Sequence, residues 1–350
     1  MAQFDIVLGQ LVGFVIMLIV GYICVRLRFY GTTALNGMCS LLLNVLIPVL
    51  VFANAVDGTD RAHLAANWGV MLLTALMYGL LIALFWIVAR VLRLNGSHSH
   101  IFQAAMIFGN AGFIGIPLIM ALFPSTGAIF VALMSIVDQA LLWTYGVWLC
   151  EPVKEEATEP EQQPQEQSEQ QLHQRSAQQS LNQPSHKGFA TRITGLLSRF
   201  VNPAFIGVML ALALIIAGIH VPTMILTPLH TIGAMATPMS LIYLGGLFAL
   251  TQWWHVLRRY ELYVGMILKM IAFPLVFHAG LTALTSTIPT LPITVDMIET
   301  ITLIAGLPTM TTIAMFAGRK DNMPDYAVGM VLVTTLFSLV SLTVVAAVVL

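Results

Sequence analysis

The chain has 350 residues, of which 58% are hydrophobic and 9% charged, and its formal net charge is -1. A soluble domain carries roughly 25% charged residues and a nucleic-acid-binding chain a clear basic excess, so composition and charge exclude both. The three cysteines, Cys24, Cys39 and Cys150, are scattered and lack metal-ligand spacing, which excludes a disulfide framework and a thiolate metal centre.

From the N-terminus onward the sequence runs in apolar blocks of about 20 residues, the length that crosses a ~30 Å hydrocarbon core. The chain opens on Ala2, Gln3 and Asp5, with neither a basic region nor a small-residue cleavage site, so Ile6 onward reads as a retained first span. The first five spans are expected at about 5–26, 34–56, 68–90, 101–122 and 127–149. A polar stretch from Glu151 to Arg199 follows, rich in Gln and Glu and punctuated by Pro160, Pro164 and Pro184. It has too little apolar surface to fold by itself. Near its end Phe189, Ile193, Leu196, Leu197 and Phe200 recur at helical spacing, with Arg192 and Arg199 on other faces, as in a short interfacial helix. Five more spans are expected at about 202–219, 229–250, 262–284, 296–316 and 325–349.

Lys and Arg favour the cytoplasmic side of a membrane. With the N-terminus outside, the inner loops hold Arg26 and Arg28, Arg90 and Arg93, Lys154, Arg175, Lys187, Arg192 and Arg199, Arg258 and Arg259, and Arg319 and Lys320. The outer loops hold only Arg61, and Lys269 falls inside a span. Both termini are therefore expected outside, with the long polar loop in the cytoplasm. Five spans is an odd number, so the second set enters the membrane inverted. The expected organisation is a first five-helix repeat over 1–150, a polar cytoplasmic loop with its interfacial helix over 151–199, and a second, inverted repeat over 200–350. A shift of 196 residues brings Gly37 onto Gly233, Phe52 onto Phe248, Ala53 onto Ala249, Ala121 onto Ala317 and Met134 onto Met330.

Helix breakers cluster in the fourth and ninth spans. Gly109-Asn110-Ala111-Gly112-Phe113-Ile114-Gly115-Ile116-Pro117 gathers three glycines, an asparagine and a proline, and Gly306-Leu307-Pro308-Thr309-Met310-Thr311-Thr312 is its counterpart. The 196-residue shift places Gly112 on Pro308. Proline removes a backbone donor and clashes with the preceding turn, and glycine weakens a helix. Backbone groups freed at membrane depth survive only inside protein or against a watery cavity. Paired interruptions in matching spans point to a transporter binding site. Pro48, Pro238 and Pro274, taken singly, read as kinks.

The pattern Asn110-x-x-x-x-Gly115-Ile116-Pro117, with Leu307-Pro308, Ile47-Pro48, Phe316-Ala317 before a charged turn, and Lys269 followed by Pro274, resembles the auxin efflux carrier family. The likeness is to its bacterial branch of malonate- and malate-permease-like proteins, and it covers nearly all of the chain except the polar loop. The resemblance implies an all-α integral membrane fold of ten transmembrane helices with the broken helices of spans 4 and 9 crossing. It also implies elevator-like alternating access, small organic anions as substrates, and often a homodimer. Gly109, Thr309 and Val51 stand where plant members have proline, glutamine and serine, which points away from auxin itself.

The half-helices that begin after the breaks, at about Gly112–Gly115 and Thr309–Thr312, present unpaired amides and dipoles suited to a carboxylate. Thr309, Thr311 and Thr312 can cap a helix or bind substrate, and Asn110 can bridge freed backbone groups or donate to substrate. Of the ionisable residues within spans, Glu299 is expected near the outer interface, while Lys269 is either a snorkelling lysine or a fixed positive charge on the anion path. Asp138 is expected at mid-span, where a carboxylate must be paired, protonated or wet. It is a candidate coupling group, and Lys269 is a candidate partner for it. By the resemblance, Gln139 matches a substrate-proximal glutamine. His63, His98, His100 and His255 read as loop histidines. No nucleotide, zinc-protease or serine-hydrolase pattern occurs, so no enzyme activity, cofactor or metal is expected. The sequence reading is thus a secondary transporter of small mono- or dicarboxylates in the cell membrane. A proton- or sodium-coupled symporter of bile-acid type is the alternative within transport, and a channel or an intramembrane enzyme lies further off.

Overall fold

The computed structural model describes residues 2–57, 61–153, 203–288 and 292–350. The Gln-rich stretch and the interfacial helix expected around Phe189 to Phe200 lie outside the described residues.

Among the described residues the regular structure is helical, with no strand. Helix α1 spans Ala2–Arg26. Helix α2 (Thr32–Leu41) passes through a π turn, Leu42–Leu46, into α3 (Ile47–Asp57). Helix α4 covers Arg61–Val91 and bends at Asn67. Helix α5 (Gly96–Ile107) is followed by a π turn, Ala111–Gly115, and α6 (Ile116–Leu122). Helix α7 (Gly127–Leu141) continues through the π turn Leu142–Gly146 into α8 (Val147–Leu149). Beyond the polar stretch come α9 (Pro203–Ala217), α10 (Thr223–Ala234) and α11 (Ala236–Leu250). Helix α12 (Tyr260–Ile267) runs through the π turn Leu268–Ala272 into α13 (Phe273–Thr287). The chain closes with α14 (Val295–Ala305), α15 (Thr311–Arg319) and α16 (Pro324–Val349).

Among the described residues six stretches are long and apolar enough to cross a membrane: Thr32–Asp57, Ala65–Val91, Ile129–Leu149, Thr223–Leu250, Tyr260–Thr287 and Pro324–Val349. Every backbone group in hydrocarbon needs an internal partner, which makes helix the default for these runs. The intervals expected at 101–122 and 296–316 each hold two short helices, because both are cut in the middle. Three of the four π turns have the same cause. Pro48, Pro117 and Pro274 each stand two residues beyond a π turn, and a proline both lacks an N–H and crowds the carbonyl four residues earlier. That carbonyl lies inside the widened turn in each case.

The helices pack through small residues, as membrane helices do. Helix α1 lies along α11, and a Cβ on Gly21 or Gly245 would collide with the carbonyl of Ile242 or Leu18. Helix α3 packs against α9 and α10; there a Cβ on Gly207 would reach 3.0 Å from the Pro48 carbonyl oxygen, and one on Gly233 2.8 Å from Leu50 Cα. Large apolar side chains such as Ile16, Leu72, Trp86, Val276 and Val340 point outward. That surface suits lipid and would be a liability in water.

Candidate functional site

Two helices stop partway. Helix α5 ends at Ile107 and helical turns resume at Ala111, while α14 ends at Ala305 and α15 starts at Thr311. Gly109 weakens the first, and Pro308 both lacks a donor and drives Leu307 out of the helical region. Phe108 and Met310 are extended, and the two pieces pair antiparallel at Gly109 and Thr309. The Met310 amide donates to the Phe108 carbonyl at 3.0 Å, and the Asn110 amide to the Pro308 carbonyl at 2.8 Å. Each interruption therefore satisfies backbone groups that the other sets free.

Side chains complete the crossing. The Asn110 amide nitrogen Nδ2 donates to Thr311 Oγ1 at 3.1 Å, while its backbone carbonyl accepts from the amides of Ile114 and Gly115, both at 3.0 Å. Thr309 Oγ1 donates to the Ala105 carbonyl at 2.8 Å, and the Thr309 amide to Thr334 Oγ1 at 3.0 Å. Lys269, fully buried, donates from Nζ to the carbonyls of Ala105 (3.3 Å) and Phe108 (3.1 Å). Its ammonium thus meets the C-terminal end of α5, where unpaired carbonyls concentrate partial negative charge. Three glycines divide the work. A Cβ on Gly109 would come 3.1 Å from Leu307 Cβ, one on Gly115 2.8 Å from Leu307 Cδ1, and one on Gly112 would meet nothing within 4 Å.

The space left open by Gly112 belongs to a narrow cavity of about 20 Å³, room for about one water molecule. Its walls are Gly112, Ile116, Met310 and Thr312 from the crossing, Ser135, Asp138, Gln139 and Leu142 from α7 and its π turn, and Ile47, Leu50, Val51 and Asn54 from α3. Asp138 accepts hydrogen bonds from the Tyr78 hydroxyl and from Gln139 Nε2, the latter at 2.9 Å. Gln139 Oε1 in turn accepts from Trp143 Nε1 at 3.0 Å. The cavity thus lies between α3, α7 and the crossing.

The model of the family described as membrane transport protein matches residues 6–346. The chain belongs to that family. It is therefore a multi-pass membrane transport protein, and the match agrees with the auxin efflux carrier resemblance of its motifs. A comparison with curated proteins found no match.

In this membrane transport protein the residues singled out from sequence fall into two groups. Gly112, Thr312, Asp138 and Gln139 line the cavity. Asn110, Pro308, Thr309, Thr311 and Lys269 are built into the crossing, where their polar groups serve the backbone and one another. The Asn110 side chain donates to the Thr311 hydroxyl across the crossing. Thr311 and Thr312 do not cap α15, whose cap residue is Met310 with no side-chain hydrogen bond. The expected pairing of Lys269 with Asp138 is not realised, because Lys269 turns to carbonyls and Asp138 to Tyr78 and Gln139. The 196-residue alignment of the breaks is also off by about one helical turn: Gly109 faces Thr309, and Ala111 and Thr311 begin the second half-helices, a shift of 200. His98 is no plain surface histidine, since its Nε2 lies 2.9 Å from the buried Glu261 carboxylate. Sequence reasoning passed over Tyr78, Trp143, Asn54 and Ser135. Ser135 stands three and four residues before Asp138 and Gln139, on the same helical face, and that spacing was the available signal.

Proposed function

We propose that this protein is a secondary transporter of small organic anions, mono- or dicarboxylates, working by elevator-type alternating access without nucleotide. The observation that carries the reading is the crossing of two interrupted helices beside a cavity. Both second half-helices begin there, and Gly112 and Thr312 from their first turns line it. Helix N-termini favour anions, and Thr312, almost fully buried, offers a hydroxyl beside them. The cavity is too small for a carboxylate as it stands, so binding requires its walls to part, and α3 on one side is packed with α9 and α10. A body of α3, α9 and α10 against which the crossing slides is the motion such an arrangement calls for.

Ten spans in two inverted five-helix repeats accompany this reading. In each half the order is a helix, a bent one, a long one, a broken one and a long one. Both termini lie outside, the polar loop lies inside, and two copies associate in the plasma or inner membrane. A cysteine placed at Gln171 and labelled from outside intact cells would contradict that orientation. A second reading, proton-coupled symport, is favoured by Asp138, a buried carboxylate on the cavity wall whose hydrogen-bond partners are neutral. The test is uptake of a carboxylate panel into proteoliposomes holding the purified full chain. Saturable uptake with counterflow is expected; flux that neither saturates nor exchanges would mean a channel.

A further inference from the structure

The crossing leaves few of its polar groups idle, but the cavity beside it does leave some. Among the described residues, the side chains of Asn54, Ser135 and Thr312 have no hydrogen-bond partner, although all three line the cavity and Ser135 and Thr312 are more than nine-tenths buried. They come from three separate elements, α3, α7 and α15. Asn54 is half-buried, and a hydroxyl or amide facing a cavity with no partner in the fold is disfavoured, so three converging on one space mark a place where a ligand supplies the bonds. Charge narrows the ligand further. The lining contains no Lys or Arg, and its one ionisable group is a carboxylate, Asp138. Lys269 is committed to the carbonyls of Ala105 and Phe108. The half-helix ends offset one negative charge, while a second carboxylate would meet neutral acceptors and Asp138.

Building on the carboxylate reading above, we infer that the substrate is a small monocarboxylate bearing a hydrogen-bond-donating substituent, a hydroxyl or an ammonium, rather than a dicarboxylate or an unsubstituted acid. The carboxylate faces the half-helix ends and Thr312. The substituent is received by Ser135 and Asn54, whose side chains both accept and donate, with Asp138 as a further acceptor.

The experiment is uptake by full-chain proteoliposomes of lactate, alanine, propionate and succinate at equal concentration. Lactate or alanine should exceed propionate and succinate by at least about tenfold, since a site built to bond a polar group discriminates strongly against its absence. Whichever of the two leads identifies the donor as hydroxyl or ammonium. Ser135→Ala and Asn54→Leu should shrink that ratio to within about threefold, chiefly by slowing the substituted acid, and Ser135→Thr should retain it. Propionate or succinate transported as well as the substituted acids by the wild-type chain would overturn the inference while leaving the carboxylate reading intact. If no acid of the panel is taken up or raises the melting temperature, the carboxylate reading falls and this inference with it.

Discussion

The crossing and the cavity are neighbours built on opposite terms. In the crossing, amides and carbonyls freed by Gly109 and Pro308 are answered by the facing segment, by Thr309 and by Lys269, and Asn110 donates to Thr311. In the cavity, Asn54, Ser135 and Thr312 point inward without partners. A polar group satisfied within the fold stabilises it; one left unsatisfied at a cavity wall is available to a ligand. Residues of the same chemical type, in the same sequence motif, therefore have different work. Thr311 holds the crossing together, and Thr312 next to it faces the cavity.

The largest effect that would break this comparison is at Lys269. If the ammonium serves the end of α5, Lys269→Met removes hydrogen bonds from a charged donor and should cost about 2 kcal/mol, read as a fall of roughly 3 °C in melting temperature. A normal melting temperature with weakened substrate affinity would instead move Lys269 into the binding site. Asn110→Ala comes next. It deletes the bond to Thr311 and should cost about 1–2 kcal/mol, with lower yield of folded protein by size-exclusion chromatography.

The glycines sharpen the contrast. Gly115→Ala presses on Leu307 and should destabilise by about 1 kcal/mol. Gly112→Ala meets open space and should leave the melting temperature unchanged while narrowing the cavity and slowing uptake. Equal melting temperatures and equal transport for the two variants would erase the distinction. A small effect on stability is expected at Asp138→Asn, which keeps the shape and can still accept from Tyr78 while giving up the bond from Gln139. If Asp138 carries the coupling proton, wild-type uptake of an anion should rise as external pH falls, because protonation removes the repulsion, and the variant should show a flat profile. A variant profile as steep as the wild type would place the coupling elsewhere.

Much of this architecture can be read in the sequence because the bilayer imposes it. Apolar runs of fixed length locate helices to within a few residues, and clustered Gly and Pro locate both breaks, since hydrocarbon forgives no unpaired backbone. The π turns before Pro48, Pro117 and Pro274 were not read: Pro48 and Pro274 read as kinks, and Pro117 as part of the fourth-span break. Nor was the register of the breaks. Loops of different length let identities align at a shift of 196, whereas the hydrogen bonds of Gly109 and Thr309 require 200. Side-chain direction was equally hidden. The sequence puts Lys269 and Asp138 both in the middle part of their spans, and only the direction of each side chain decides that they have different partners. Tyr78 was invisible because a tyrosine in an apolar run looks like any other large side chain until its hydroxyl meets Asp138.

The most direct test of the account is substrate counterflow in proteoliposomes by Thr312→Val, a change that keeps the shape of a side chain with no partner in the fold. The account predicts a melting temperature like that of the wild type and counterflow reduced at least tenfold, about 1.4 kcal/mol of lost interaction with the substrate. Full counterflow by Thr312→Val would contradict it, because the cavity beside the crossing would then not be where substrate binds.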